Sequence, residues 1–128
     1  MPPWRYWLPP AAYLGLIFLL SSLPQPPIPA AVSSDILHYP EYAVLGFLLA
    51  RAFFAAFAFR WALLASLAGV VCSVAWGVTD EFHQAFVPNR VPELEDLVRD
   101  AAGAAAGALL WLGWRMWRNR RRRVAAGA

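Results

Sequence analysis

Apolar residues along this chain form four long segments, which short breaks rich in proline separate. The segments cover roughly Trp4–Leu23, Tyr39–Phe57, Trp61–Thr79 and Leu97–Trp117. Each is close to the length of about 20 apolar residues with which an α-helix crosses a bilayer. Backbone groups in lipid must form their hydrogen bonds within their own segment, which favours helices. The pattern therefore predicts an all-α, polytopic membrane protein that is a compact bundle of four transmembrane helices.

The breaks between the segments predict how the helices connect. Prolines interrupt the chain at 24–29 and again at 87–92, whereas the middle break, around Ala58–Arg60, is very short. The two middle helices are therefore predicted to be antiparallel neighbours. A cleaved signal peptide is the alternative for the first segment, because Arg5, the run Leu14–Leu20 and small residues near Ala30 fit one. The prolines ahead of Ala30 make a poor cleavage region, which favours four spans over three.

Composition strengthens the membrane interpretation. Hydrophobic residues make up 60% of the 128 residues, charged residues only 15%, and the mean hydropathy is +0.47. Because a soluble domain usually carries about 25% charged residues, an ordinary soluble domain is a poor fit. The 15% of aromatic residues excludes a disordered chain. The single cysteine, Cys72, rules out an intrachain disulfide.

The distribution of arginine predicts the orientation in the membrane. All eleven basic residues are arginines, and nine of them fall at one predicted side: Arg5, Arg51, Arg60, Arg115, Arg118 and Arg120–Arg123. Only Arg90 and Arg99 fall at the other side. Because basic residues are enriched in cytoplasmic segments, both termini are predicted to be cytoplasmic. Six tryptophans lie at the same predicted inner boundary, where amphipathic rings are common.

The four segments predict one domain, residues 1–118, followed by a basic cytoplasmic tail at 119–128. The run Arg120–Arg123 could bind anionic lipid or nucleic acid. A stop-transfer anchor explains the run better, so the predicted partner is the lipid bilayer and no nucleic-acid partner is expected. The sequence leaves the oligomeric state undetermined.

This topology places all eight acidic residues and both histidines at or near the outer boundary. Ionisable groups there are costly and suggest a functional site. Helical spacing predicts two polar stripes, one on the third helix (Ser73, Gly77, Asp80, Gln84) and one on the fourth (Asp96, Asp100, Gly103, Gly107). Gly103 and Gly107 form the small-residue pattern through which membrane helices approach closely. If the third and fourth helices pack along these stripes, Asp80 and Asp100 come together.

The remaining polar residues extend this predicted pocket. Glu81 lies next to the stripe of the third helix, whereas His83 points away from it and is expected to meet only lipid headgroups. His38 and Tyr42 are four residues apart and share one face of the second helix. The expected catalytic residues are Asp80, Glu81, His38 and Arg90, and the expected binding residues are Tyr42, Gln84, Asp96 and Asp100. Asp80 or Glu81 would transfer protons, Arg90 would contact an anion, and His38 would be a second proton-transfer group.

Structural roles compete with each of these assignments. Asp96 or Glu95 could cap the fourth helix, and Asp35 the second, because acidic residues favour helix N-termini. Asp80 and Gln84 could hold helices together. No H-x-x-x-H, H-E-x-x-H or C-x-x-C motif occurs, so a metal is only weakly indicated, and the cofactors stay unknown.

Two stretches of the sequence resemble a known family. Residues 79–90 read T-D-E-F-H-Q-A-F-V-P-N-R, and 96–107 read D-L-V-R-D-A-A-G-A-A-A-G. Together with H-Y-P-E-Y-A-V-L-G at 38–46 and the pair Ser21-Ser22, they are similar to the motifs of the VanZ-like family of bacterial membrane proteins. Two positions depart from that pattern: Ser34-Asp35 stands where the family usually has Asp-Lys, and Asn89 stands where it often has Gly.

The resemblance implies a small integral protein of the bacterial plasma membrane with four helices. The namesake is associated with reduced susceptibility to teicoplanin, a glycopeptide that targets cell-wall precursors. Three functions are open at this point. The protein could act as an enzyme on a lipid-linked or glycan component of the envelope, bind such a component or a glycopeptide without catalysis, or serve a structural role.

Overall fold

The computed structural model describes residues 3–25, 29, 32–57 and 61–127 of the chain. It contains a 3-10 turn at Pro3–Tyr6 and four α-helices: α1 (Leu8–Ser21), α2 (Ser34–Ala56), α3 (Ala62–Gln84) and α4 (Leu94–Ala126). Within these ranges there is no strand. The prediction of an all-helical chain with four helices is confirmed. The link at 58–60 and the small residues near Ala30 lie outside the described residues.

The helix bounds differ from the predicted segments for local reasons. Helix α1 has only 14 residues, about 21 Å, because the 3-10 turn occupies the start of the apolar segment. Pro9 and Pro10 fall in its first turn, where proline is tolerated because those N–H groups have no partner within the helix. Helix α2 begins five residues early, and its N-cap is Ser33, whose side chain accepts a hydrogen bond from the Asp35 N–H. The N-cap of α2 is therefore Ser33 and not Asp35, although Asp35 lies in the first turn of the helix.

Helix α4 is the longest element and passes through the predicted start of the tail. It has 33 residues, about 50 Å, so positions 119–126 continue its helix. The side chains of Arg118 and Arg121 lie over the rings of Trp114 and Trp117, at 4.7 Å and 4.4 Å. Such contacts hold the arginine side chains against the helix surface.

Successive helices run in opposite directions, which sorts the charged residues between two ends of the bundle. The last turns of α1 and α3 meet the first turns of α2 and α4, and we call this the acidic end. At the opposite end, the Trp7 ring lies 5.1 Å from that of Phe53, and the Phe54 ring lies 5.4 Å from that of Trp111. We call this the arginine end, because α2 and α4 carry Arg51, Arg115 and Arg118 there.

Helices α2 and α4 run parallel and form the closest contact in the bundle. A Cβ added at Gly107 would lie 1.8 Å from the Ala43 carbonyl oxygen, and one at Gly103 would lie 2.4 Å from that of Tyr39. From the other side, a Cβ at Gly46 would lie 2.3 Å from the Ala104 carbonyl oxygen. The two backbones therefore touch directly. The small-residue pair of α4 was expected to face the third helix, but it packs against α2, whose own small residues leave room for it.

Helix α3 buries small and polar residues and exposes large apolar ones. Its buried positions are Ala65, Ser66, Gly69, Ser73, Gly77, Asp80 and Gln84. Its exposed positions include Leu63, Leu64, Leu67, Val71, Val78 and Phe82, each more than half exposed. Among the described helices, α3 is the one that is long and apolar enough, by length and composition, to cross a membrane.

We expect an alanine at Gly107 to destabilise the fold, whereas an alanine at Gly113 should stabilise it slightly. The added methyl at position 107 would overlap the Ala43 backbone and force α2 and α4 apart, at a cost of about 1–3 kcal/mol. Gly113 lies on the same helix with nothing within 4 Å of its Cβ position. An alanine there gains helix propensity, up to about 1 kcal/mol. Thermal unfolding in detergent measures both variants, and equal stability of the two would contradict the α2–α4 contact.

Candidate functional site

The side chain of His38 joins α2 to α4 at the acidic end. Its Nδ1 is hydrogen-bonded to Oδ1 of Asp100 at 2.7 Å, and its Nε2 lies 3.5 Å from Oδ2 of Asp96. Asp96 and Asp100 are one helical turn apart, so both carboxylates face the same side of α4. The Asp100 side chain is 1% exposed, whereas those of His38 and Asp96 are 15% and 14% exposed. The imidazole thus lies between a buried carboxylate and one that reaches the surface.

Tyr42 lies one turn further along α2, beneath His38. It is 1% exposed, and its ring stacks with the imidazole at a centroid distance of 6.5 Å. Its hydroxyl is buried and has no hydrogen-bond partner among the described residues. A Cβ at Gly77 of α3 would lie 2.9 Å from Oδ2 of Asp100 and 3.5 Å from the Tyr42 ring. The absence of a side chain at Gly77 therefore lets α3 close over this group.

Asp80 and Gln84 form a second cluster, which joins α3 to α1. Oδ1 of Asp80 accepts a hydrogen bond from the Ser21 hydroxyl at 2.6 Å, and Oδ2 accepts one from the Gln84 amide at 3.0 Å. All three residues are buried. Because both carboxylate oxygens are occupied, the geometry fits the structural interpretation of Asp80 and Gln84 as a contact between helices.

The two clusters lie close together at the same end. Asp80 and Asp100 are near enough to interact electrostatically. The predicted convergence of these two carboxylates is present. Gly77 of α3 lies directly against the Asp100 carboxylate of α4, and His38 of α2 is hydrogen-bonded to the same carboxylate.

Glu81 and Arg90 lie beside the clusters and form hydrogen bonds with backbone groups at the ends of helices. Oε2 of Glu81 accepts a hydrogen bond from the backbone N–H of Glu93, at the start of α4, at 2.9 Å. The Arg90 guanidinium donates to the carbonyl oxygens of Leu23 and Leu20 at 3.2 Å and 3.5 Å, just where α1 ends. Asn89 supports this position with a φ of 63° in the turn that precedes it, a conformation that Gly and Asn accept best. The structure uses both side chains as caps; the catalytic roles assigned to them stay predictions.

His83 contacts α1, so the expectation that it meets only headgroups is wrong. Its Nε2 is hydrogen-bonded to the Ser22 hydroxyl at 2.9 Å, and its ring lies 4.5 Å from that of Phe18. Ser21 and Ser22 therefore each bind a polar residue of α3, and the analysis of spacing assigned neither of them to the site. The available indication was the serine pair itself, at the end of an apolar segment.

Arg99 is a further residue that was absent from the predicted site. It is hydrogen-bonded to Asp96, donates to Glu95 at 3.1 Å and lies 3.6 Å from Asp35 of α2. Asp96 is therefore held by Arg99 on one side and His38 on the other. These side-chain contacts, rather than a cap on the α4 backbone, account for its position.

The electrostatic surroundings of His38 favour its charged form. His38 lies one residue ahead of the predicted second span. Burial lowers the pKa of its imidazole, but the hydrogen bond to Asp100 and the charges of Asp100, Asp96 and Glu41 outweigh burial. The net pKa is raised above the ordinary value of about 6.5. An imidazole oriented by a buried carboxylate can take up and release a proton near neutral pH.

In the part of the chain that the structure describes, no group of three or more His, Cys, Asp or Glu residues is arranged to hold a metal ion. Comparison with curated proteins gave no match, and comparison with solved structures gave none. The family model described as VanZ/LLP1 matches residues 11–117, which cover α1 from its fourth residue, α2, α3, and α4 as far as Trp117. The chain therefore belongs to the VanZ/LLP1 family.

Proposed function

We propose that this VanZ-like protein is a multi-pass protein of the bacterial plasma membrane whose acidic end faces outward and acts on a lipid-linked or glycan component of the envelope. His38, held between Asp100 and Asp96, is the observation that carries the proposal. It would be the acid–base group, with Tyr42 beneath it as a binding residue.

The pattern of burial supports a membrane environment for α3 and α4. Polar and small side chains of α3 face the inside of the bundle, and its large apolar side chains face outward. The same holds for α4, where Asp100 and Gly103 are buried while Leu109 and Leu110 are 64% and 68% exposed. In water such surfaces would promote association. In lipid they are the expected exterior, and small or polar contacts join the helices.

An apolar cavity beside α1 supports a ligand with a hydrocarbon chain. It has a volume of about 310 Å³ and lies among α1, α2 and α3, with a lining that includes Leu14, Leu49 and Trp76. It extends from Trp7, near the arginine end, to Thr79, which precedes Asp80. A chain in this cavity would bring its polar headgroup toward the acidic end.

Binding without catalysis is the second candidate, and one observation favours it. No hydroxyl or thiol among the described side chains is hydrogen-bonded to His38, so the site lacks an activated nucleophile of that kind. In that case the same residues would recognise an envelope precursor or a glycopeptide of the teicoplanin type. Reaction and binding differ in whether the envelope components change chemically.

The pKa of His38 is expected to lie above 6.5, and Asp100→Asn should lower it. The variant removes the negative charge nearest to the imidazole, whereas the burial that disfavours the charged form remains. Because the pKa of His38 is raised in the folded protein, protonation of His38 stabilises the fold, and this contribution is fully present below pH 6.5 for as long as Asp100 stays ionised. This contribution is lost as the pH rises through the raised pKa.

A titration of the imidazole signals by NMR measures this pKa. The chain has two histidines, so His83→Gln assigns the signal of His38. A His38 pKa at or below 6.5 in the unmodified protein would contradict the charge arrangement described above.

His38→Gln is expected to abolish the proposed activity and to lower the stability only modestly, because the glutamine amide can still donate a hydrogen bond to Asp100. General acid–base catalysis contributes about a hundredfold or more to a rate. The rate at which the protein chemically alters envelope components should therefore fall by at least that factor. Mass spectrometry of envelope lipids and precursors, from cells with and without the protein, measures the change. Teicoplanin susceptibility is a second readout.

Glu95→Gln is the matched control, because Glu95 is 79% exposed on the same helix as Asp96 and Asp100. It should leave both readouts unchanged. An unchanged chemical inventory together with altered susceptibility would favour binding without catalysis. If His38→Gln lowered the thermal stability in detergent in step with the phenotype, the site would be structural and the proposal wrong.

A further inference from the structure

The arginine end contains a second cavity, which is lined by cationic and aromatic side chains. Its volume is about 540 Å³, and it lies between α2, α4 and the 3-10 turn that precedes α1. Three arginines line it: Arg51 from α2, and Arg115 and Arg118 from α4. It shares no residue with the His38 site, so a role for one does not depend on the other.

Aromatic rings hold the three guanidinium groups in place. The guanidinium carbon of Arg115 lies 4.3 Å from the centre of the Phe54 ring. That of Arg51 lies 5.4 Å from the Tyr6 ring, and Arg118 lies over Trp114 as described above. A ring face attracts the cation but does not accept the hydrogen bonds that the guanidinium donates in its own plane. These contacts therefore orient the arginines and leave donors available.

No acidic side chain balances the three positive charges. Asp100 is the last acid in the sequence, and it lies at the acidic end. The arginine ion pairs among the described residues are all formed by Arg99. The Nε of Arg115 is buried and has no hydrogen-bond partner in the described part of the chain. Arg115 lines the cavity, so an acceptor bound there can pair with the outer N–H groups of its guanidinium.

The chemistry of the lining indicates what kind of acceptor fits. Planar guanidinium groups bind phosphate through paired, charge-assisted hydrogen bonds. Trp111 and Trp114 supply the amphipathic rings that are common at a membrane interface, and Leu110 presents an exposed apolar side chain one residue before Trp111. A ligand that combines a phosphate with hydrocarbon chains satisfies both features.

We propose that this cavity binds the phosphodiester headgroup of an anionic membrane lipid. The distribution of arginine predicts that this end is cytoplasmic, where basic pockets between helices meet anionic headgroups. Bound lipid would neutralise the arginines and tie α2 and α4 to the inner leaflet. Free phosphate offers the same oxygen acceptors without the hydrocarbon chains and is the competing ligand.

Native mass spectrometry of the full-length protein in detergent tests the proposal. The probes are phosphatidylglycerol, phosphatidylcholine and inorganic phosphate. We expect phosphatidylglycerol to bind, and a variant with Arg51→Gln, Arg115→Gln and Arg118→Gln to bind it about tenfold or more weakly. The control carries Arg120→Gln, Arg122→Gln and Arg123→Gln, which removes the same charge from exposed positions of α4, and it should retain affinity.

Three results would overturn the proposal: equal weakening in both triple variants, equal binding of phosphatidylcholine, or displacement of the lipid by an equal concentration of inorganic phosphate. The first would show general electrostatic attraction, and the last a site for the free anion.

If the cavity variant fails to fold by circular dichroism, Arg118→Gln alone replaces it, because Arg118 is half-buried and its replacement leaves the Arg115 contact in place. That single change should still weaken lipid binding several-fold, and unaltered binding would equally overturn the proposal.

Discussion

The direct backbone contact between α2 and α4 is the constraint on which the acidic end depends. Gly103 and Gly107 meet the carbonyl oxygens of Tyr39 and Ala43 at the same sequence offset, which fixes the parallel register of the two helices. That register places His38, one residue before Tyr39, beside Asp100, three residues before Gly103. A side chain at either glycine would widen the gap, and the 2.7 Å contact of the imidazole could not form. Packing by small residues thus determines the geometry of the charged ones.

Two of the polar contacts that join the helices at this end reach a buried carboxylate, one for each pair of helices. His38 and Asp100 connect α2 to α4, and Ser21 and Asp80 connect α1 to α3. In a bilayer the hydrophobic effect does not drive helices together, so packing and such hydrogen bonds replace it. The two contacts differ in what they leave available. Both oxygens of Asp80 are occupied, whereas the second imidazole nitrogen of His38 faces the partly exposed Asp96. That difference supports acid–base chemistry at His38 and a structural role for Asp80.

Helical spacing predicted which residues share a face but not which helix that face meets. The stripes containing Asp80 and Asp100 are present and buried. The partner of Gly103 and Gly107 could not be predicted, because an alanine-rich stripe fits any neighbour with small residues, and α2 carries Ala43 and Gly46 among larger apolar side chains. His83 lies off the polar stripe of α3 and still contacts a helix, because α1 covers the adjoining face of α3. The roles of Glu81 and Arg90 depend on loop geometry, about which periodicity carries no information.

The segregation of charge follows from the parallel arrangement of α2 and α4. Parallel neighbouring helices align their dipoles, which repel each other at both ends. Asp35 in the first turn of α2, and Glu95 and Asp96 in the first turn of α4, place negative charge at the positive dipole ends. The arginines of α4 offset the negative dipole at its other end, where the last turn contains Arg123. The acidic residues also find partners in His38 and Arg99, whereas the arginine end has no acids to match. The charge arrangement that stabilises the α2–α4 pair therefore leaves an excess of cations at one end, and this excess is the basis for the anionic ligand proposed for the cavity there.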